Sequence, residues 1–170
     1  MFLFAQCLVA IATLLDLASF QFRSRRLILL CLFSSVLLTA SHFFLLEQQS
    51  AGWLMLVAAV RYLYCVFARQ YLAMICFMGL STLAAYLTWQ GALSGLALGA
   101  TLIQTVASFQ SQDLRLRIMM VVGTSLWITH NILLGSPVAV LMECLFLASN
   151  VLGLYRFHYL KSTTITAKES

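Results

Sequence analysis

Charge is what this sequence has least of. Of its 170 residues, 9% are Asp, Glu, Lys or Arg, against about a quarter in a soluble domain. So few charges cannot clothe a water-facing surface, and with 62% of the chain hydrophobic most of that surface must meet lipid. Proline is nearly absent, with Pro137 alone, and no long polar insertion interrupts the chain. One membrane domain, residues 1–160, is expected, followed by a short polar tail at 161–170.

Catalytic and metal-binding signatures are missing as well. There is no H-E-x-x-H, no G-x-S-x-G and no clustered set of carboxylates, so neither an enzyme nor a cofactor is expected. The five cysteines (Cys7, Cys31, Cys65, Cys76, Cys144) all fall inside hydrophobic stretches without a C-x-x-C pair, and read as small apolar packing residues rather than metal ligands. The net charge of +5 does not point to nucleic acid, because the basic residues sit in short clusters beside apolar runs. The expected partner is the lipid bilayer.

What is there is a succession of apolar runs near the length of about 20 residues that crosses the hydrocarbon as a helix. Seven are predicted: 2–20, 27–46, 51–68, 71–89, 92–109, 118–134 and 137–155. The breaks between them are short, which makes successive helices antiparallel neighbours. The first run lacks a basic leading segment and is followed by Arg23, Arg25 and Arg26, so it reads as a span rather than a signal peptide. Arg69, Arg115 and Arg117, then Arg156, Lys161 and Lys168, follow spans three, five and seven, while the loops after spans two, four and six carry no lysine or arginine. The positive-inside rule then predicts an outer N-terminus and a cytoplasmic C-terminus.

An odd number of spans suggests a parallel duplication around a linking helix: repeat one at 2–68, a connector at 71–89 and repeat two at 92–157. At a spacing of 88 residues, His42-Phe43-Phe44-Leu45-Leu46 falls on His130-Asn131-Ile132-Leu133-Leu134, and Ala51 falls on Ala139. Parallel repeats of this kind place a solute site near the bilayer midplane between them.

Several of these strings carry a resemblance. Ala5-Gln6, Ser19 through Arg26, His42 through Leu46, Ala51-Gly52 with Arg61, Trp127 through Asn131, Gly135-Ser136, Met142-Glu143, Ser149-Asn150 and Gly153 together resemble the bacterial inner-membrane YgjV family. The match is good over spans one to three and six to seven, and poor over spans four and five. It implies a multi-pass protein of the bacterial inner membrane and no specific activity. More remotely, the arrangement is similar to the SWEET and PQ-loop (MtN3-like) carriers. This chain departs from them in having no Pro-Gln pair and no helix-kinking proline, although such carriers often place an asparagine where Asn150 stands.

Three ionisable residues lie inside spans, where a central charge costs roughly 2.5–3.5 kcal/mol on insertion scales. Glu143 shares a helix face with Asn150, and either serves a solute or proton or is half of a structural ion pair or hydrogen bond. Arg61 either snorkels toward headgroups or Asp16, or reaches Glu143, since the duplication gives spans three and seven equivalent places. Asp16, near the cytoplasmic end of span one, reads as structural. His42 and His130, with Asn131 beside the latter, stand near outer helix ends as interfacial hydrogen-bonding anchors or proton-handling groups. Thr101, Gln104 and Ser108 form a mild polar stripe, lining a path or joining helices. Gly91, Gly95 and Gly99 form overlapping G-x-x-x-G patterns for close helix contact, within the bundle or across a homodimer. Trp53, Trp89 and Tyr71 read as interfacial anchors.

Two functions are compatible with this pattern. One is a transporter or facilitator of a small polar solute, with candidates Glu143, Asn150, Arg61, His130, Asn131, His42, Gln104 and Asp16. The other is a non-transporting membrane subunit, chaperone or sensor that binds a membrane partner.

Overall fold

The computed structural model describes residues 1–19, 25–68, 70–110 and 112–155. Arg23, Arg69, Arg156, Lys161, Lys168 and the tail at 161–170, on which part of the charge pattern rests, lie outside the described residues. Among those residues there are seven helices and no strand: α1 (Phe2–Ser19), α2 (Arg25–Leu45), α3 (Gln49–Phe67), α4 (Tyr71–Leu87), α5 (Ala92–Phe109), α6 (Asp113–Leu134) and α7 (Pro137–Tyr155). Gln49–Phe67, Ala92–Phe109 and Leu114–Leu134 are long and apolar enough to cross a membrane; the other four helices carry apolar stretches of 10–17 residues.

Local chemistry explains where the helices stop. Gly135 adopts φ 72°, and its N–H donates to Ile132 O at 3.0 Å while Ser136 N–H reaches Asn131 O at 3.0 Å. This pair of bonds closes the last turn of α6 in a left-handed cap that a side chain would strain. Pro137 then opens α7, where its fixed φ suits the first turn and no amide hydrogen is needed. Along the helices, hydroxyls are returned to their own backbone four residues back, as at Thr13, Thr39, Ser81 and Thr129. Lipid offers no alternative partner for them.

Six of the helices close into a ring. Neighbours in the chain pack together within each triplet, α1 on α2 on α3 and α5 on α6 on α7, while α3 meets α5 and α7 meets α1. Helix α4 stands outside and touches only α3 and α5. Small residues make the two triplet-to-triplet seams close: Val9, Ala12 and Ala139 are fully buried on the α1–α7 side, and Ala97 and Ala100 on α5. One core joins Phe43, Leu54, Ala97 and Trp127 across α2, α3, α5 and α6. The outer surface is apolar, with Leu14, Leu72, Leu83, Ile132 and Leu152 all exposed, as a lipid-facing belt requires.

The tightest glycines are not the predicted ones. A methyl group added at Gly52 would meet the Phe44 ring at 2.5 Å, and one at Gly123 would meet Gln104 Cγ at 2.7 Å. In the G-x-x-x-G stretch, Gly95 would only touch Trp89 at 3.4 Å and Gly99 would touch Leu126 at 3.7 Å, while Gly91 caps α5 with φ 102°. Close helix approach is therefore made by single glycines opposite a large side chain. Of the cysteines, Cys65 is buried, Cys31 half-buried, and Cys7, Cys76 and Cys144 exposed, so most face outward rather than filling the core.

Candidate functional site

The ring encloses a cavity of about 70 Å³, and every one of its six helices contributes to the wall. Asp16 enters from α1, Ser35, Thr39 and Phe43 from α2, and Met55 and Tyr62 from α3. Gln104 comes from α5, Trp127 from α6, and Glu143 with Phe146 from α7. Three of the predicted candidates, Asp16, Gln104 and Glu143, thus meet at one place. Asp16 also bonds Ser35 and lines the cavity with Glu143. No lysine, arginine or histidine is among the described residues of the wall.

Trp127 is 1% exposed, and its indole Nε1 has no hydrogen-bond partner. The ring is held on Phe43, with centroids 5.6 Å apart and planes at 24°, and by the edge of His130 at 5.2 Å. An unpaired indole N–H is expensive in a dry interior, where nearly every buried donor finds an acceptor.

Arg61 is placed differently from the sequence expectation. It is neither snorkelling to a surface nor joined to Glu143, because α3 makes no contact with α7. It is 2% exposed, donates from Nη1 to Thr105 Oγ1 across the α3–α5 seam, and lies over the Tyr62 ring with Cζ 5.0 Å from the centroid. Asn150 also stands apart from the cavity wall; its Nδ2 donates to Phe146 O at 3.0 Å within α7.

Both histidines are buried between helices, near the ends of α2 and α6. His42 is 0% exposed and His130 1%. Nδ1 of His42 donates to Ala5 O at 2.8 Å, which leaves Nε2 of a neutral ring to accept from Ser136 Oγ at 3.1 Å. Ser136 in turn accepts from Gln6 Nε2 at 3.1 Å, and Gln6 Oε1 accepts the Val138 N–H at 3.2 Å. This network ties α1, α2 and the start of α7. A second one ties α3, α4 and α5: Ser94 Oγ donates to Ser50 Oγ at 2.8 Å, Thr88 Oγ1 donates to Ser50 Oγ at 3.2 Å, and Ser50 bonds Thr88 O. His130 Nδ1 and Asn131 Oδ1 lie 3.3 Å apart, and Asn131 Nδ2 is left without a hydrogen-bond partner.

Ser136→Ala should destabilise the protein by about 1–2 kcal/mol, since it strands both His42 Nε2 and Gln6 Nε2 while interhelical hydrogen bonds in membranes are individually modest. Thermal unfolding in mild detergent measures this. Ser125→Ala, at an exposed serine bonded only to its own helix, should leave the midpoint unchanged.

Sequence reasoning did not single out Trp127, Tyr62, Thr39, Gln6 or Ser136 as site or network residues. A usable signal existed in the 88-residue register, which pairs Asp16 with Gln104, Thr39 with Trp127 and Met55 with Glu143. Of the predicted polar stripe, Gln104 faces the cavity, Thr101 is buried, and Ser108 bonds Gln104 O at 2.7 Å.

Comparison with known proteins agrees with the lipid-facing exterior. No curated protein and no solved structure matches the chain significantly. A family model for a bacterial inner membrane protein matches residues 3–161. The chain, with its apolar helices and lipid-facing belt, belongs to this Imp-YgjV family of the bacterial inner membrane.

Proposed function

We propose that the protein is a transporter or facilitator of a small polar solute, with the central cavity as its solute site. In this reading all seven helices span the membrane, the N-terminus lies outside, and two parallel triplets are linked by α4. The observation that carries it is that six helices converge on one cavity with polar groups at its centre, although lipid penalises every such group.

The duplication is supported by the register of the seams. Gln6 and Val138 are bonded across α1 and α7, while Ser94 and Ser50 are bonded across α5 and α3. Residues 6 and 94, and 50 and 138, are each 88 positions apart, so the two contacts fall at equivalent places in the proposed duplication. The buried pairs Val9 and Ala97, Ala12 and Ala100, and Ala51 and Ala139 follow the same spacing. Two equivalent halves joined at hydrogen-bonded seams can rock about the site between them.

A membrane-partner role is the second reading. It is favoured by an apolar groove between α3 and α4, lined by Trp53, Val60, Phe77 and Leu83. The two readings separate in proteoliposomes. A transporter gives counterflow of at least one solute from a panel of amines, amino acids, sugars and nucleosides, above protein-free vesicles. A folded protein that moves none of them, yet co-purifies with a defined membrane protein, supports the partner reading and removes the first.

A further inference from the structure

Taking the cavity as a solute site, as the preceding reading does, its wall also defines the solute's chemistry. Two carboxyl groups face the space, and no cationic side chain among the described residues lines it. Around them stand the rings of Phe43, Tyr62, Trp127 and Phe146. Aromatic faces attract a soft organic cation, whereas a hard metal ion needs several oxygen ligands. Among the described residues no group of three or more His, Cys, Asp or Glu could hold a metal.

A second observation, independent of the carboxylates, is the indole of Trp127. It lines the same space, is 1% exposed, and carries an Nε1–H with no acceptor. Gln104 adds an amide to the wall. A bare alkylammonium would leave these donors unmet; a solute with an oxygen close to its nitrogen satisfies them. The cavity volume of about 70 Å³ is room for several waters and suits a small polar molecule.

We propose that the central cavity binds a small primary amine carrying an adjacent oxygen, held as its ammonium ion by Asp16 and Glu143, with Trp127 Nε1 donating to the oxygen. The charges balance in one step. Before the amine binds, the proposed site holds both carboxyl groups protonated, since two carboxylates with no cation in the wall are costly in a dry interior. When the ammonium ion enters, one carboxyl O–H bond breaks, its proton leaves to water, and the resulting carboxylate pairs with the ammonium. One proton is exchanged per amine bound.

The titratable or charged groups near this pair are few. Tyr62 faces them from α3, with Arg61 behind it on Thr105. His42 on α2 and His130 on α6 lie behind Phe43 and Trp127 and are engaged with Ala5 and Asn131. From α5 only the neutral Gln104 lines the wall.

The test is calorimetric titration of the full-length protein in mild detergent with ethanolamine, ethylamine and sodium chloride, repeated in two buffers of different ionisation enthalpy. Ethanolamine should bind at least tenfold more tightly than ethylamine, release one proton, and gain affinity about tenfold per pH unit while that proton is displaced. Asp16→Asn and Glu143→Gln should each weaken it at least tenfold, and Trp127→Phe should abolish the preference over ethylamine. The wild-type buffer and pH series stands even if a variant fails to fold. Binding without proton release, equal competition by sodium, or no ethanolamine binding by folded protein each overturns the proposal. Ethanolamine binding without any counterflow would uphold this site and remove the transport reading; counterflow of a neutral solute without amine binding would do the reverse.

Discussion

Trp127→Ala should cost the folded protein about 3–5 kcal/mol, a large effect for a single residue. The indole is the largest of the fully buried side chains and touches both a stacked Phe43 and the His130 edge. Truncation removes those contacts and leaves a void that joins the existing cavity, so the neighbours have little on which to collapse. No hydrogen bond is lost, because Nε1 has no partner. This makes a clean comparison with Trp127→Phe, which keeps a ring in place and should cost less than about 1.5 kcal/mol. Reversible unfolding in mixed micelles measures both. Equal losses in the two variants would show that the N–H has an acceptor in the membrane-embedded protein, contrary to the packing described here.

The helices were legible in the sequence because lipid enforces one simple rule, a long apolar run for each helix, and the seven observed helices fall on the seven predicted runs. Their boundaries were legible wherever turn chemistry is local, as at Gly135-Ser136-Pro137. Which residues meet was another matter. In a soluble helix a polar face marks the solvent side, but here both lipid and core are apolar, so periodicity does not tell an inward residue from an outward one. Glu143 and Asp16 stood out because a charge in lipid is expensive. Trp127 did not, because an aromatic residue in an apolar helix is ordinary, and only its orphaned N–H and its place in the wall set it apart. For Arg61 the sequence offers headgroups, Asp16 or Glu143, and in the fold its guanidinium meets Thr105 of α5 and the Tyr62 ring instead of Glu143. In the ring of six, α3 and α7 are not neighbours, and α3 instead meets α5.

That placement gives Arg61 an unusual expected outcome: Arg61→Leu should raise stability by about 1–4 kcal/mol, the range found when poorly compensated buried charges are replaced by apolar side chains. The guanidinium is 2% exposed, bonds Thr105 from Nη1, and leaves Nε without a partner. The face of Tyr62 offsets only a small part of the cost of desolvating a cation. Thr105 does not suffer from the change, since its hydroxyl already donates to Thr101 O at 2.7 Å. Leucine fills most of the arginine stem's volume and keeps the α3–α5 seam apolar. The measurement is the unfolding midpoint in detergent and again in bicelles containing anionic lipid. A loss of about 3 kcal/mol or more in bicelles alone would mean that a lipid phosphate completes the Arg61 site; a loss in both media would mean that the seam depends on the Arg61–Thr105 bond far more than a single hydrogen bond explains.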